Sequence, residues 1–383
     1  MDCKPVKVLV LNTSSRISGA ERSLVDVLSF FRKKSLLPLV VLPDKGELYQ
    51  LLQTQHNLLI VGLLRSKKGQ GVYGFIRDVL KLFKHSYQLS LIIKSHNIDL
   101  IYSNSASSQL YAILLKVITG RKIIWHVRDN LKTSFFTSIF CYFADKMLCI
   151  SKHIMEQLPF KHKTELVYNG IDTTKWKVNY EFLNKIKDEL DIDRNVILVA
   201  HIGQLIPWKR HDLLIEVAQY LIQDCELKVH YVIIGDDLFD DFPDHKRHLQ
   251  HMVKSLNLSE QISFLSYRGN LAEYLNGIDI LLHLADNEPF GRVIIEAMAL
   301  EKPVIARNQG GPKEIISDNC SGFLVTSSEP SMIAEKLRIL INDSNLRRGF
   351  GRVGRSIVKS KFSISNLERI GPIILSVNEE CSN

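Results

Sequence analysis

Short apolar runs, each followed by a stretch in which apolar residues return every three or four positions, recur along most of this chain. The first run, Val6 to Leu11, passes through a Ser/Gly loop into a helical pattern from Ala20 to Phe31, which makes a βα unit. Further runs stand at Leu37 to Leu42, Leu58 to Val61, Asp99 to Tyr102, Lys122 to Val127 and Met147 to Ile150. After Asn169-Gly170 the scheme restarts, with runs at Val196 to Ile202, Lys228 to Ile234, Ile262 to Leu265, Ile278 to Leu284 and Pro303 to Ala306. Runs that are apolar throughout, rather than alternating, are buried on both faces and predict parallel sheets covered by helices. The pattern therefore predicts two doubly wound α/β domains, one over residues 1–172 and one over residues 195–362. Residues 173–194, rich in Lys, Asp and Asn, read as the connection, and residues 363–383 as a C-terminal helix that packs back on the first domain. Ligands of such sheets bind beyond the carboxyl ends of the strands, so the site is expected at strand-to-helix turns, in a cleft between the domains.

Composition narrows the class without naming a function. The chain has 383 residues, 45% hydrophobic and 23% charged, which excludes disorder, collagen and coiled coil. No run approaches the roughly 18 apolar residues needed to span a bilayer. Met1-Asp2-Cys3-Lys4-Pro5 leads directly into the first strand without a signal-peptide core, so a cytoplasmic location is expected. The six cysteines are scattered with no C-x-x-C pair, which argues against a disulfide framework or a zinc site. The formal charge of +8 divides unequally, as +13 for residues 1–170 and −5 for the remainder. That asymmetry points to an anionic partner for the first half alone.

The turn richest in chemistry is Asn287-Glu288-Pro289-Phe290-Gly291-Arg292, directly after the run ending at Leu284. Pro289 or Phe290 is expected to open a helix, Gly291 to let a ligand approach the backbone, and Glu296 to lie two turns in. Free N–H groups at a helix start favour an anion, and a carboxylate further along can accept from a diol such as ribose. Spacing alone favours a solvated helix-entry Glu and a helix-surface Glu.

Glu288-x7-Glu296 within Glu-Pro-Phe-Gly is followed by Glu296-Ala297-Met298-Ala299, Lys302-Pro303-Val304-Ile305-Ala306 and Gly310-Gly311-Pro312-x-Glu314-Ile315-Ile316. This ordered set resembles the signature of glycosyltransferase family 4, and the resemblance extends over nearly the whole chain. It implies the GT-B fold, two Rossmann-like domains facing across a cleft, and retaining transfer from a nucleotide-diphosphate sugar without cofactor or essential metal. By that likeness Glu296 binds the ribose, Lys209 holds the diphosphate, and Glu288 with the Phe290-Gly291-Arg292 segment positions the sugar. Gln204 stands where the family usually has an Arg, and Arg210 is a neighbouring cation that assists if its side chain faces the cleft. Tyr267-Arg268-Gly269 is expected beside the base. Ser18-Gly19-Ala20-Glu21 resembles the family's Gly-Gly-x-Glu turn, with Gly19 approaching the phosphates; the same residues also make an S-x-x-E capping box. His126 resembles the first-domain His that contacts the donor sugar, and Asn169-Gly170-Ile171-Asp172 resembles the hinge segment. Asp236-Asp237-x-x-Asp240-Asp241 mimics a divalent-metal site but reads better as a solvated loop, because Lys209 and helix ends neutralise diphosphate without metal.

The acceptor is argued from the first half. Val72, Phe75, Ile76, Val79 and Phe83 fall on one helical face, with Arg77, Lys81, Lys84 and His85 opposite and Arg65, Lys67 and Lys68 upstream. Basic amphipathic helices lie on anionic lipid, although a sheet-covering helix with a solvated basic face has the same pattern. The aromatic cluster Phe135, Phe136, Phe140, Tyr142 and Phe143 reads either as core or as a lipid contact. The expectation is an enzyme peripheral to the inner face of the membrane, extending a glycan or lipid-linked glycan. A non-catalytic nucleotide-sugar-binding protein and a nucleotide-sugar epimerase of the same fold are the alternatives. Nucleic acid ranks last, since no base-stacking motif accompanies the basic half.

Overall fold

The computed structural model describes residues 5–31, 36–65, 72–131, 134–222, 227–266 and 270–379. The chain divides into two compact units, residues 1–170 with 364–383, and residues 171–363. Seven strands build the first: Val6–Leu11 (β1), Leu36–Leu42 (β2), Asn57–Ile60 (β3), Leu100–Ser103 (β4), Lys122–Val127 (β5), Lys146–Cys149 (β6) and Thr164–Leu166 (β7). All pairings are parallel, in the order β3-β2-β1-β4-β5-β6-β7. The runs are apolar nearly throughout because alternate residues serve different layers. Val6, Val8 and Val10 enter one core with Tyr102 and Ile124, whereas Leu9 and Leu11 enter the other with Ile101 and Ile123.

The second unit repeats the plan with Ile197–Ile202 (β8), Val229–Ile234 (β9), Ile262–Leu265 (β10), Ile280–His283 (β11), Val304–Arg307 (β12) and Gly322–Val325 (β13). Its order is β10-β9-β8-β11-β12-β13, again parallel. Each sheet thus has a topological switch point, between β1 and β4 and between β8 and β11, where doubly wound sheets bind ligands.

One segment differs from the linear reading of the sequence, and the C-terminal one follows it. Residues 173–194 are part of the second unit rather than a free connection. Ile186 is fully buried, Lys187 pairs with Asp279 at 3.4 Å, and the Asn179 N–H donates to Asn276 Oδ1 at 2.8 Å. The chain leaves the first unit at 170 and re-enters it at 364. There Leu367, Ile370, Ile374 and Val377 join the core that holds Leu28, Phe31 and Tyr102.

The helix Val72–Ser95 departs from the sheet-covering reading of its pattern. It turns Leu82, Ser86, Leu89 and Ile93 inward, and Phe75, Ile76 and Phe83 are not its sheet-covering face. Tyr73, Phe75 and Phe83 are 84%, 65% and 56% exposed, and Ile76, Leu80, Tyr87 and Leu91 are exposed with them. Tyr73, Ile76 and Leu80 line a shallow open groove together with Arg77, Lys81 and Lys84. Of the aromatic cluster, Phe140 packs on Trp125 at 5.8 Å, whereas Phe135, Phe136 and Tyr142 are exposed on the helix Phe135–Phe143. The side chain of Val72 and residues Lys67 and Lys68 lie outside the described set. No helix among the described residues is long and apolar enough to cross a membrane.

Candidate functional site

In the second unit, the turns after β8 and β11 meet at the switch point. The first carries Lys209 at the end of a short 3-10 turn, Pro207–Lys209, and the second carries Glu288. Lys209 Nζ lies 2.5 Å from Glu288 Oε2, with both side chains nearly buried. His283, the last residue of β11, places Nε2 3.2 Å from the same oxygen. A carboxylate only accepts, so His283 donates there from Nε2–H. Both partners engage Oε2. Burial pushes the Glu288 carboxyl up, but the Lys209 ammonium and the His283 bond outweigh it and hold the group at about 2.

Beneath this pair lie three buried imidazoles. The rings of His201 and His211 stack at 4.3 Å, and His283 is 6.2 Å from His201. Burial lowers the pKa of all three, to about 3 for His211, so they are neutral at pH 7. A buried neutral stack next to an ammonium avoids placing a second cation there.

The Glu288 turn is braced by Gly310-Gly311. Gly311 N–H donates to Glu288 O at 2.8 Å, and a Cβ at Gly311 would stand 2.4 Å from the Phe290 backbone. Only glycine lets the two segments approach this closely. Phe290 is itself an anchor, buried edge-on against Phe362 at 5.8 Å. The helix expected to open at Pro289 or Phe290 instead spans Arg292–Ala299, because Gly291 has φ +98° and interrupts helical geometry before it starts. Within that helix, Arg292 Nε donates to Glu296 Oε1 at 2.8 Å, and Glu296 is buried.

Arg210 follows Lys209 but takes a different course. It has φ +58°, and its guanidinium bonds Asp212 at 3.1 Å and Asp286 at 3.5 Å. Cations ahead of the helix His211–Leu221 oppose its dipole. The chain's own carboxylates supply the compensation: Asp212 and Asp286 for Arg210, Glu288 for Lys209.

In the first unit, polar residues directly beyond β1, β4 and β5 form one buried chain. Asn12 Nδ2 lies 3.4 Å from Glu21 Oε1, Asn104 Nδ2 donates to Asn12 Oδ1 at 2.9 Å, and Arg128 Nε donates to Asn104 Oδ1 at 2.8 Å. Arg128 also reaches Asn169 Oδ1 at 3.1 Å and His126 Nδ1 at 3.2 Å, and the Tyr102 hydroxyl is 2.5 Å from that same nitrogen. Glu21 accepts from Ser18 N–H at 3.1 Å and from the Ser18 hydroxyl at 2.5 Å, which forms the returning half of the capping box. Burial raises its carboxyl against these hydrogen bonds. Gly19 opens the helix Gly19–Phe31 on the surface, with no atom within 4 Å of where a Cβ would stand. The chain of contacts joins the Ser18–Glu21 turn, His126 and Asn169, three motifs read separately in the sequence.

The family described as Glycosyltransferase Family 4 matches residues 17–175, and that described as Glycosyl transferases group 1 matches residues 183–357. The chain belongs to the family 4 glycosyltransferases. An uncharacterized glycosyltransferase of Methanocaldococcus jannaschii is 29% identical over 80% of this chain and 81% of its own. The capsular polysaccharide biosynthesis glycosyltransferase CapM of Staphylococcus aureus is 26% identical over 94% of both chains. HepE of Anabaena, solved in complex with UDP-glucose, superposes with a TM-score of 0.83 over 97% of this chain and 99% of its own, at 24% identity. The two parallel-sheet units have the GT-B fold.

Within this glycosyltransferase, the remaining residues singled out from sequence fall as follows. Gln204 is half-buried, and its side-chain amide makes no hydrogen bond among the described residues. Tyr267, Arg268 and Gly269 lie outside the described residues. Asp236 accepts from Lys246 at 3.2 Å and from Ser266 at 3.1 Å, and Asp237 accepts from the backbone N–H groups of Phe239, Asp241 and Phe242. Among the described residues no group of three or more His, Cys, Asp and Glu is arranged to hold a metal ion. Sequence reasoning missed His283, Tyr102 and the bracing role of Gly310-Gly311. The available signals were histidines inside otherwise apolar strands, and His126 with Arg128 at i and i+2, on one face of a strand end.

Proposed function

We propose that this chain is a retaining, metal-independent glycosyltransferase that moves a sugar from a nucleotide-diphosphate sugar to a glycan or lipid-linked glycan. The observation that carries the proposal is the buried Lys209–Glu288 pair at the switch point of the second unit. Lys209 carries three N–H donors, and the one on Glu288 leaves two for a diphosphate. The leaving diphosphate gains charge in the transition state, so a fixed ammonium and the N–H groups at the start of the Arg292–Ala299 helix lower the barrier. Glu288 accepts from a hydroxyl of the transferred sugar, Glu296 from the ribose, and His126 contacts the sugar from the first unit. Retention then follows a front-face route through an oxocarbenium-like state, without a protein nucleophile. HepE is similar in fold and has been solved with UDP-glucose, which makes UDP-sugars the first donors to test.

A thermal-shift screen of nucleotide sugars tests the donor assignment. A true donor at 100 times its dissociation constant adds about 2.7 kcal/mol of stability. Glu296→Ala is expected to abolish that shift; an undiminished shift removes Glu296 from the ribose site.

For the surface at which the acceptor is met we propose an anionic membrane, contacted through the helix Val72–Ser95. The exposed aromatic and aliphatic side chains and the neighbouring Arg77, Lys81 and Lys84 support this reading, since an amphipathic helix binds lipid by buried apolar area and by charge together. The protein is expected to co-sediment with phosphatidylglycerol vesicles at low salt, and Arg77→Glu/Lys81→Glu/Lys84→Glu to abolish it. Equal sedimentation of both proteins, or of neither, contradicts the membrane assignment.

A further inference from the structure

His126 sits at the carboxyl end of β5, wholly buried, and its two ring nitrogens have different surroundings. Nδ1 is approached by the Arg128 guanidinium at 3.2 Å and by the Tyr102 hydroxyl at 2.5 Å, whereas Nε2 is buried with no partner among the described residues. A guanidinium is always protonated and can only donate, so the nitrogen facing it must be the bare, accepting one. The proton of a neutral imidazole then has a single place left.

We infer that Arg128 is a positioning residue that locks His126 as the neutral Nε2–H tautomer, so that the ring offers the donor sugar one N–H and no basic nitrogen. Tyr102 plays a secondary part. Its hydroxyl can donate or accept, and it donates to Nδ1 because Arg128 has already decided that this nitrogen accepts. Burial and the adjacent guanidinium both lower the His126 pKa, which keeps the ring neutral. Arg128 is held in turn by Asn104 Oδ1 at 2.8 Å and Asn169 Oδ1 at 3.1 Å, so the tautomer is set by residues from β4, β5 and the segment leading out of the unit.

The chemical consequence is specific. A buried N–H without a partner is costly, and a sugar hydroxyl oxygen that accepts from it offsets that cost on binding. His126 therefore orients a hydroxyl by donating to its oxygen and takes no proton from it. This consequence rests on the proposed contact between His126 and the sugar; the tautomer assignment does not.

The test is long-range 1H–15N correlation on the whole protein labelled with [15N]histidine, at pH 7, with the His126 signals assigned by their loss in His126→Asn. The wild type is expected to show a single species with a protonated Nε2 and a bare Nδ1. Tyr102→Phe is expected to keep that pattern, because Arg128 remains, while Arg128→Met is expected to give a tautomer mixture or a protonated ring. A wild-type ring protonated at Nδ1, or a wild-type mixture, overturns the inference even where Arg128→Met does not fold. A folded Arg128→Met protein with the wild-type pattern equally overturns the role of Arg128. Transfer by His126→Ala tests the sugar contact separately: an unchanged kcat/KM removes that contact and leaves the tautomer assignment standing.

Discussion

Replacing Lys209 by Met is expected to lower kcat for sugar transfer roughly 10²–10³-fold, the loss typical of one preorganised group aimed at developing charge. Two effects combine. The leaving diphosphate loses its cation, and Glu288 loses the partner 2.5 Å away that keeps it ionised in a buried site. The stability effect is also large, because removing one partner of a buried ion pair costs about 3–5 kcal/mol by leaving an uncompensated charge. A second substitution separates the two effects. Lys209→Met/Glu288→Gln has no buried charge left at this position and is expected to regain most of the stability while transfer remains lost. Steady-state kinetics and denaturant unfolding on the three proteins check this. A Lys209→Met enzyme with kcat within about twofold of wild type would place the chemistry elsewhere.

Acid is expected to remove a defined share of stability through the same pair. The Glu288 carboxyl titrates at about 2 in the folded protein, against an ordinary value of 4.5. The unfolded chain therefore takes up this proton first as pH falls. The contribution is complete above pH 4.5 and is lost as pH falls towards 2. A difference of that size corresponds to about 3 kcal/mol in full, of which about 2 kcal/mol is gone by pH 3. Unfolding free energies of wild type and Glu288→Gln at pH 7 and pH 3 report the effect, with the buried His201 and His211 common to both proteins. The gap between the two proteins is expected to shrink by about 2 kcal/mol from pH 7 to pH 3, and an unchanged gap refutes the assignment.

The sheets were legible because a strand buried on both faces leaves a near-continuous apolar run, and β1, β5, β8 and β9 are such runs apart from Lys7, Lys122, His126, His201 and His230. The edge strands β7 and β13 escaped that pattern: β7 is three residues with Glu165 at its centre, and β13 opens on Gly322. The segment 173–194 looked like a linker because its composition is polar, yet Ile186 and Lys187 tie it to the second unit by packing and charge. Among site residues, Lys209 and Glu288 were found separately from motifs; their pairing is a product of topology, which brings the ends of β8 and β11 together. The exposed face of the helix Val72–Ser95 stayed open between lipid and sheet in the sequence for a related reason. Periodicity identifies an apolar face, but only tertiary packing decides which of two apolar stripes covers the sheet.

The central claim is that the Lys209–Glu288 site of the second unit transfers a sugar from a nucleotide-diphosphate donor. Its most direct measurement is release of nucleoside diphosphate from the donor found by thermal shift, with and without a glycan acceptor, in EDTA-treated buffer, by wild type and Lys209→Met. The account predicts acceptor-dependent release by the wild type that persists in EDTA and nearly vanishes in the variant. Release that is independent of acceptor, or equal in the two proteins, would contradict it.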